Sequence, residues 1–328
     1  MSSPEFNLIK QFFTEQRISR PDVSLGIGDD AALVSPPAGM SLAVSTDMLL
    51  SGVHFPEQTS AAAIAYKALA VNLSDMAAMG AEPAWFTLSI SLPEVDENWL
   101  GDFSQGLFAI ANTYGVQLIG GDTTRGPLCM SVQIMGFCPE GKALTRSGAQ
   151  IGDGVFLTGT VGDAGLGLAL QQDPLRRHYS AENEYLIDRL EYPTPRVSAG
   201  IALRNIATSA IDISDGLAAD LKHVLNASGV GADIEIERLP LSTAFVGEQR
   251  ATIEKAWQFA VSAGDDYELC FTAPMSQETA IQERLNAENC PCVCIGRISA
   301  PHGLRWRDAN KIERQISVMG FDHFQGNN

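Results

Sequence analysis

Along this chain, stretches in which apolar and polar residues alternate give way repeatedly to stretches with apolar residues at helical spacing. The first kind reads as strand and the second as helix. In the first half, "SLAVSTD", "AWFTLSISLP", "VQLIGGD" and "LCMSVQIMGFC" are strands by this reading. "TSAAAIAYKALAVNLSDMAAMG" is a helix capped by Thr59 or Ser60 and stopped by Gly80, and "ENWLGDFSQGLFAIANTYG" is another, ending at Gly115. In the second half, "GVFLTG", "SAIDIS", "ADIEIE", "CFTAP" and "CVCIGRI" are expected strands. Helices are expected over "PTPRVSAGIALRNIA" and "DGLAADLKHVLNASG", and a loop runs on to the terminal "GFDHF". Such alternation predicts a mixed α/β fold. The polar connector "PEGKALTRSGAQIGD" predicts two domains, residues 1–140 and 141–328.

Composition narrows what the chain can meet. It carries 39 acids against 22 bases, a net charge of −17, which argues against a nucleic-acid partner. Its richest apolar run is interrupted by Lys67, Asn72 and Asp75, and its N-terminus has no secretory core, so no membrane partner and a cytoplasmic location are expected. The "CPCVC" run places Cys290, Cys292 and Cys294 on one face of a strand with no second ligand cluster nearby; reduced thiols are expected there. An acidic protein still binds polyphosphate when divalent cations stand between its carboxylates and the phosphates.

The carboxylates recur at strand ends. Asp47, Asp122, Asp212 and Asp215 each follow an apolar strand, where open α/β sheets bind ligands. Taken singly, each is equally a cap or turn residue, and Asp215 could simply cap the helix after it. Asp75 stands in the last turn of its helix, against the macrodipole, with Asn72 on the same face; a bound cation or plain solvation would both account for it. Ser45, Thr46, Thr123, Thr124 and Ser214 accompany the acids, and such oxygen-rich sets suit Mg²⁺. Arg146 is the best cation for a phosphate contact, its bland alternative being a solvated linker arginine. No Walker A or protein-kinase motif set is present. "GIGDDAA" has the glycine spacing of a dinucleotide loop, but Pro36 and Pro37 forbid the helix that must follow, and two acids would face the pyrophosphate.

Taken in order, "GIGDDAA", "STDMLLSGVHF", "KALAVNLSDMAAMGAEP", "LIGGDTTRGP", "LTRSGAQIGDG", "AIDISDGLAADL", "GDDYEL" and "GFDHF" resemble the thiamine-monophosphate kinase family, within the aminoimidazole ribonucleotide synthetase superfamily. The resemblance implies transfer of the γ-phosphoryl group of ATP to thiamine monophosphate with several Mg²⁺ ions. It implies two α/β domains, the N-terminal one forming a β-barrel across a homodimer and the C-terminal one closing the cleft. By motif it makes Asp30, Ser45, Thr46, Asp47, Asp75, Asp122, Asp212 and Asp215 the magnesium ligands, with Asp29 a supporting acid beside Asp30. It sets Gly121, Asp122, Arg146 and Ser214 against ATP, and His54, Asp265 and Phe321 against the thiamine phosphate. Two positions depart from the family's pattern: Asp265 stands where glutamate is usual, and Phe321 where tryptophan or tyrosine is common. A phosphate monoester is already ionised at neutral pH, so the acceptor needs no general base, and no His-Asp or Ser-His pair stands out. The competing readings are an ATP-dependent synthetase activating an amide or carbonyl oxygen, and a nucleotide-binding regulatory dimer without turnover.

Overall fold

The computed structural model describes residues 4–14, 16–173, 180–248, 253–300 and 302–316. Its contacts divide the chain into two compact units, Met1–Met76 with Ala81–Gly141, and Ala77–Gly80 with Lys142–Asn328. The mixed α/β architecture expected from the alternating pattern is what each unit has.

The first unit contains α1 (Pro4–Phe12), the short strands β1 (Val23–Leu25) and β2 (Leu33–Val34), β3 (Met40–Leu50), α2 (Ala61–Ala78), β4 (Glu82–Leu92), α3 (Glu97–Tyr114), β5 (Gln117–Arg125) and β6 (Cys129–Pro139). The four long strands form one sheet in the order β3-β6-β4-β5, with β4 and β5 parallel and the other pairs antiparallel. Ser60 receives the Ala63 amide on its hydroxyl at 3.3 Å and so opens α2, while Gly80 closes the turn after it at φ +60°. Asp96 caps α3 through the Asn98 and Trp99 amides, and Gly115 ends it in the left-handed conformation. Both helix ends thus follow their sequence signals. α2 and α3 cross tightly at Gly106, where a Cβ would run into the Ala62 carbonyl. The β1–β2 hairpin covers a small cluster of Ala84, Trp85, Ile119 and Phe137.

The second unit contains β7 (Gly154–Thr158), α4 (Asp163–Gln172), α5 (Ala181–Glu191), α6 (Val197–Ala202), β8 (Ser209–Asp212), α7 (Leu217–Ser228), β9 (Gly231–Glu235), α8 (Thr243–Glu248), α9 (Ile253–Ser262), β10 (Leu269–Ala273), α10 (Glu278–Ala287), β11 (Cys292–Ser299), β12 (Gly303–Arg307) and β13 (Glu313–Arg314). Its sheet runs β13-β12-β9-β11-β7-β10-β8, antiparallel except for β12 with β9. The neighbouring strands β7 and β10 are wholly buried, and a continuous apolar cluster fills one side. The helix expected over residues 193–207 is confined to α6, six residues long. Beyond it Asn205 turns the chain at φ +65°. The glycine-rich segment after β7 is α4. Its glycines let helices approach, since a Cβ on Gly167 would meet the Leu186 carbonyl of α5.

β12 is fastened to β9 by charge. Asp233 accepts hydrogen bonds from Arg305 Nε at 3.0 Å and Arg307 Nε at 2.5 Å. Burial pushes its carboxyl up, but the hydrogen bonds from Arg305, Arg307 and Ser299 outweigh that and hold it at about 2. The folded value lies below the unfolded one of about 3.9, so this stabilisation is complete above that pH and is lost as pH falls towards 2. After discounting for partial exposure, Asp233→Asn should cost about 1 kcal/mol at pH 7 and very little at pH 2.5. Urea unfolding at the two pH values measures the difference.

Candidate functional site

In the first unit the acids expected to bind cations fall into distinct places. The loop between β1 and β2 carries Asp30, which is exposed. Gly28 there adopts φ +124°, a conformation that favours glycine, and the Asp30 amide donates to Asp29 Oδ1 at 2.8 Å. Asp29 thus folds the loop over its own carboxylate beside Asp30. The loop returns into a strand instead of opening a helix, which is why the dinucleotide spacing has no dinucleotide geometry behind it.

Ser45, Thr46 and Asp47 are consecutive on β3, and successive strand side chains point to opposite faces. Ser45 donates its hydroxyl hydrogen bond to Asp75 Oδ2, so Ser45 and Asp47 share the face that α2 covers. Thr46 is on the other face, opposite Gln133 of β6, and is exposed. Asp122 is exposed on β5, at the far edge of the sheet, in register with Ser89 of β4. Three strand spacings, about 14 Å, separate β5 from β3 within the sheet. The structure therefore brings Ser45 and Asp75 together and leaves Thr46 and Asp122 apart from them. Gly121 is required where it stands: its φ is +155°, and a Cβ would strike the Leu88 carbonyl. Asn72, paired with Asp75 by sequence spacing, instead donates back to the Ala68 carbonyl at 3.0 Å.

The β3–α2 turn presents His54, half-buried. Its Nδ1 accepts the Leu50 amide at 3.0 Å, which puts the proton of the neutral ring on Nε2.

The second unit gathers its residues more closely. Past the end of β8 the chain still pairs with the segment leading into β10: the Ile213 amide donates to the Glu268 carbonyl, the Tyr267 amide to the Ile213 carbonyl, and the Asp265 amide to the Ser214 carbonyl, each at 2.8 Å. Asp265 thereby stands beside Ser214 and Asp215. Gly216 turns the chain at φ +107° between this ladder and α7, where a Cβ would meet the backbone of Ser262 and Ala263. Asp215 does not cap α7, whose N-cap is Gly216. Asp220, in the first turns of α7, reaches back to the chain before the helix: its Oδ2 accepts the Ser214 amide at 3.0 Å and the Asp215 amide at 3.1 Å. Burial, together with the charges of Asp212 and Asp215, pushes the Asp220 carboxyl up to about 8. Asp220 escaped the sequence reading. Its signal was an acid on the apolar face of an amphipathic helix. Arg146 is exposed in the loop before β7, and its guanidinium makes no hydrogen bond or ion pair with the described residues.

Three acids of the "GDDYEL" segment have three different surroundings. Glu268 is buried, salt-bridged to Arg189 at 2.9 Å and to both Nε and Nη2 of Arg196 at 2.7 and 2.6 Å, and it accepts from the Thr158 hydroxyl at 2.8 Å. Asp266 is fully buried, which pushes its carboxyl well up, and it accepts the Gly162 amide at 2.8 Å. Only Asp265 is partly exposed; it adopts φ +65°, and Tyr267 Oη donates to its Oδ1 at 2.9 Å. Asp265 is thus the acid of this segment that reaches solvent, while Asp266 and Glu268 do not.

Phe321 and the "GFDHF" terminus lie outside the described residues. None of the six cysteines forms a disulfide, and burial pushes Cys290 up to about 11 and Cys292 up to about 12. Among the described residues no three Asp, Glu, His or Cys side chains form a ready metal cage, and no helix is long and apolar enough to cross a membrane.

This arrangement of strands, acids and glycine turns has relatives. Residues 28–138 match the N-terminal domain of the AIR synthase related proteins and residues 150–308 match their C-terminal domain. The chain is 49% identical to the thiamine-monophosphate kinase of Escherichia coli (strain K12) over 326 residues, covering 99% of each chain. The crystal structure of thiamine-monophosphate kinase from Stenotrophomonas maltophilia K279a superposes with a TM-score of 0.86 at 46% identity, covering 93% of this chain and 97% of that one. A second solved structure, AaThiL complexed with AMPPCP and TMP, superposes with a TM-score of 0.78 at 30% identity, covering 97% and 96%. The chain belongs to the AIR synthase related proteins and, among them, to the thiamine-monophosphate kinase family.

The contrast between Asp265 and Glu268 gives a direct expectation. Glu268→Ala removes the buried carboxylate that Arg189 and Arg196 share and should cost about 3 kcal/mol of stability. Asp265→Asn, which tolerates the left-handed backbone, should stay within about 0.5 kcal/mol of the parent while weakening ligand binding. Thermal unfolding of both variants, alongside their KM values, separates the two roles.

Proposed function

We infer that the protein transfers the γ-phosphoryl group of ATP to thiamine monophosphate and releases thiamine diphosphate. The observation that carries this is the full-length match to thiamine-monophosphate kinases. AaThiL complexed with AMPPCP and TMP supplies the ligand pair in a member of the same fold. The chemistry agrees with the residues. An ionised acceptor phosphate needs no base, so the protein's work is to neutralise two anions and hold them in line.

Mg²⁺ suits the donor set, which offers carboxylates and hydroxyls: Ser45, Asp47 and Asp75 on one side of the first unit's sheet, Asp30 on its loop, and Asp212 and Asp215 at the end of β8. Mg²⁺ is usually held by one or two carboxylates together with substrate phosphates and water, and a complete protein cage is not needed. Thr46 and Asp122, on the other face of the sheet, belong to a separate ligand group in this reading. When bound, the metal supplies charge neutralisation of the phosphates. Gly121, Asp122, Arg146 and Ser214 are assigned to ATP; His54, with Nε2–H as donor, Asp265 and Phe321 are assigned to thiamine monophosphate. Six cysteines without a disulfide agree with action in the cytoplasm, where thiols stay reduced.

The enzyme acts as a homodimer in this reading. β3 is an eleven-residue edge strand that exposes Leu42, Val44, Met48 and Leu50. A long apolar edge of this kind invites cover by another chain. Val44→Glu should shift the protein towards monomer in sedimentation velocity, and an unchanged profile would remove β3 from the interface.

Incubation with γ-labelled ATP, Mg²⁺ and thiamine monophosphate should move the label into thiamine diphosphate. Release of labelled phosphate without that product would favour the synthetase chemistry instead. Asp75→Asn should raise the Mg²⁺ concentration needed for half-maximal rate and cut kcat by about 100-fold or more; unchanged kinetics would end its assignment as a ligand.

A further inference from the structure

Lys67 lies midway along α2 and is only 4% exposed, among Ala63, Ile64, Ala68, Leu69 and Ala70, which are shut off from solvent. Lysine is seldom buried unless its ammonium is paired. Here Nζ donates to the carbonyl oxygen of His54 at 3.5 Å. That carbonyl belongs to the turn joining β3 to α2, which is already tightly folded. Gly52 sits at φ +76°, its amide donates to the Phe55 carbonyl at 2.9 Å, and the His54 amide donates to the Leu50 carbonyl at 3.0 Å. The imidazole is fixed by the Leu50 amide on Nδ1. His54 is thus gripped twice, at its ring by Leu50 and at its main chain by Lys67. Lys67 also precedes Asp75 by eight residues, a little over two helical turns. One helix therefore sends an acid to Ser45 of β3 and a cation to the turn at the end of the same strand.

We propose that Lys67 is a positioning residue for the acceptor: through the His54 carbonyl it holds the turn so that the Nε2–H of His54 meets the phosphate of thiamine monophosphate. This rests on the reading of His54 as an acceptor contact.

Initial-rate kinetics on the full-length protein with Mg²⁺, ATP and thiamine monophosphate test it. Lys67→Met should raise KM for thiamine monophosphate about tenfold, and Lys67→Arg should restore most of the loss, because a charged hydrogen bond is removed in one and kept in the other. KM for ATP should move less than about twofold. In a His54→Ala background, Lys67→Met should add almost nothing. A full additional tenfold in that background, or an equal rise in KM for ATP, would overturn the proposal and leave Lys67 a structural residue. Should Lys67→Met fail to fold, Lys67→Gln carries the same comparison. A raised KM in His54→Ala with an unchanged KM in Lys67→Met sinks the Lys67 proposal alone. An unchanged KM in His54→Ala sinks the reading of His54, and the proposal with it.

Discussion

Asp212, Asp215 and Asp220 crowd around the end of β8 closely enough that the first two, together with burial, lift the carboxyl of the third to about 8. Like charges are brought together at a cost, and a fold that does so repeatedly in a chain of net charge −17 is one that expects positive charge to arrive. The second unit spends local structure on keeping these groups in place. Two backbone amides are turned towards Asp220, and Gly216 makes a turn no side chain would fit. In the first unit the Ser45–Asp75 hydrogen bond ties a strand to a helix at the same kind of oxygen-rich spot. Phosphoryl transfer between two anions is the chemistry that makes use of such a surface, provided that cations stand between the acids and the phosphates.

The neutral and positive groups complete that picture by staying out of the acids' way. Glu268 and Asp266 are sealed into the second unit, the first by two arginines and the second by burial and the Gly162 amide. That leaves Asp265, held by Tyr267 and by the Ser214 carbonyl, as the partly exposed acid of its segment. Its shorter side chain compared with the family's usual glutamate is set in a left-handed backbone that fixes where the carboxylate points. His54 and Lys67 form the counterpart in the first unit, where a donor and a cation meet at the end of a strand that otherwise presents acids.

Much of the framework was legible because it depends on local rules. The alternation in β3, β4 and β6, the Ser60 cap and the Gly115 stop are readable from a few neighbouring residues. α5 and α10, which carry little apolar pattern, and the strands β12 and β13 at one side of the sheet were not readable, because neighbours in space define them. Within the site the acids were visible one by one, but Asp212 alone of the four ends a strand, Asp47 and Asp122 lying within β3 and β5, and their grouping was not visible. Strand pleating sets Thr46 on the face opposite Ser45 and Asp47, a separation that the sequence itself carries. Asp220 was missed because it is a charged residue on a core-facing position, and only the amides that satisfy it reveal its purpose.

The claim beneath all of this is that the protein holds the phosphates of ATP chiefly through cations. Isothermal titration of ATP into the protein, first with EDTA and then with Mg²⁺, tests it most directly. Binding should be undetectable without the metal and should appear with it, and Asp75→Asn should weaken only the metal-dependent heat. Equal ATP affinity in the presence and absence of Mg²⁺ would contradict it.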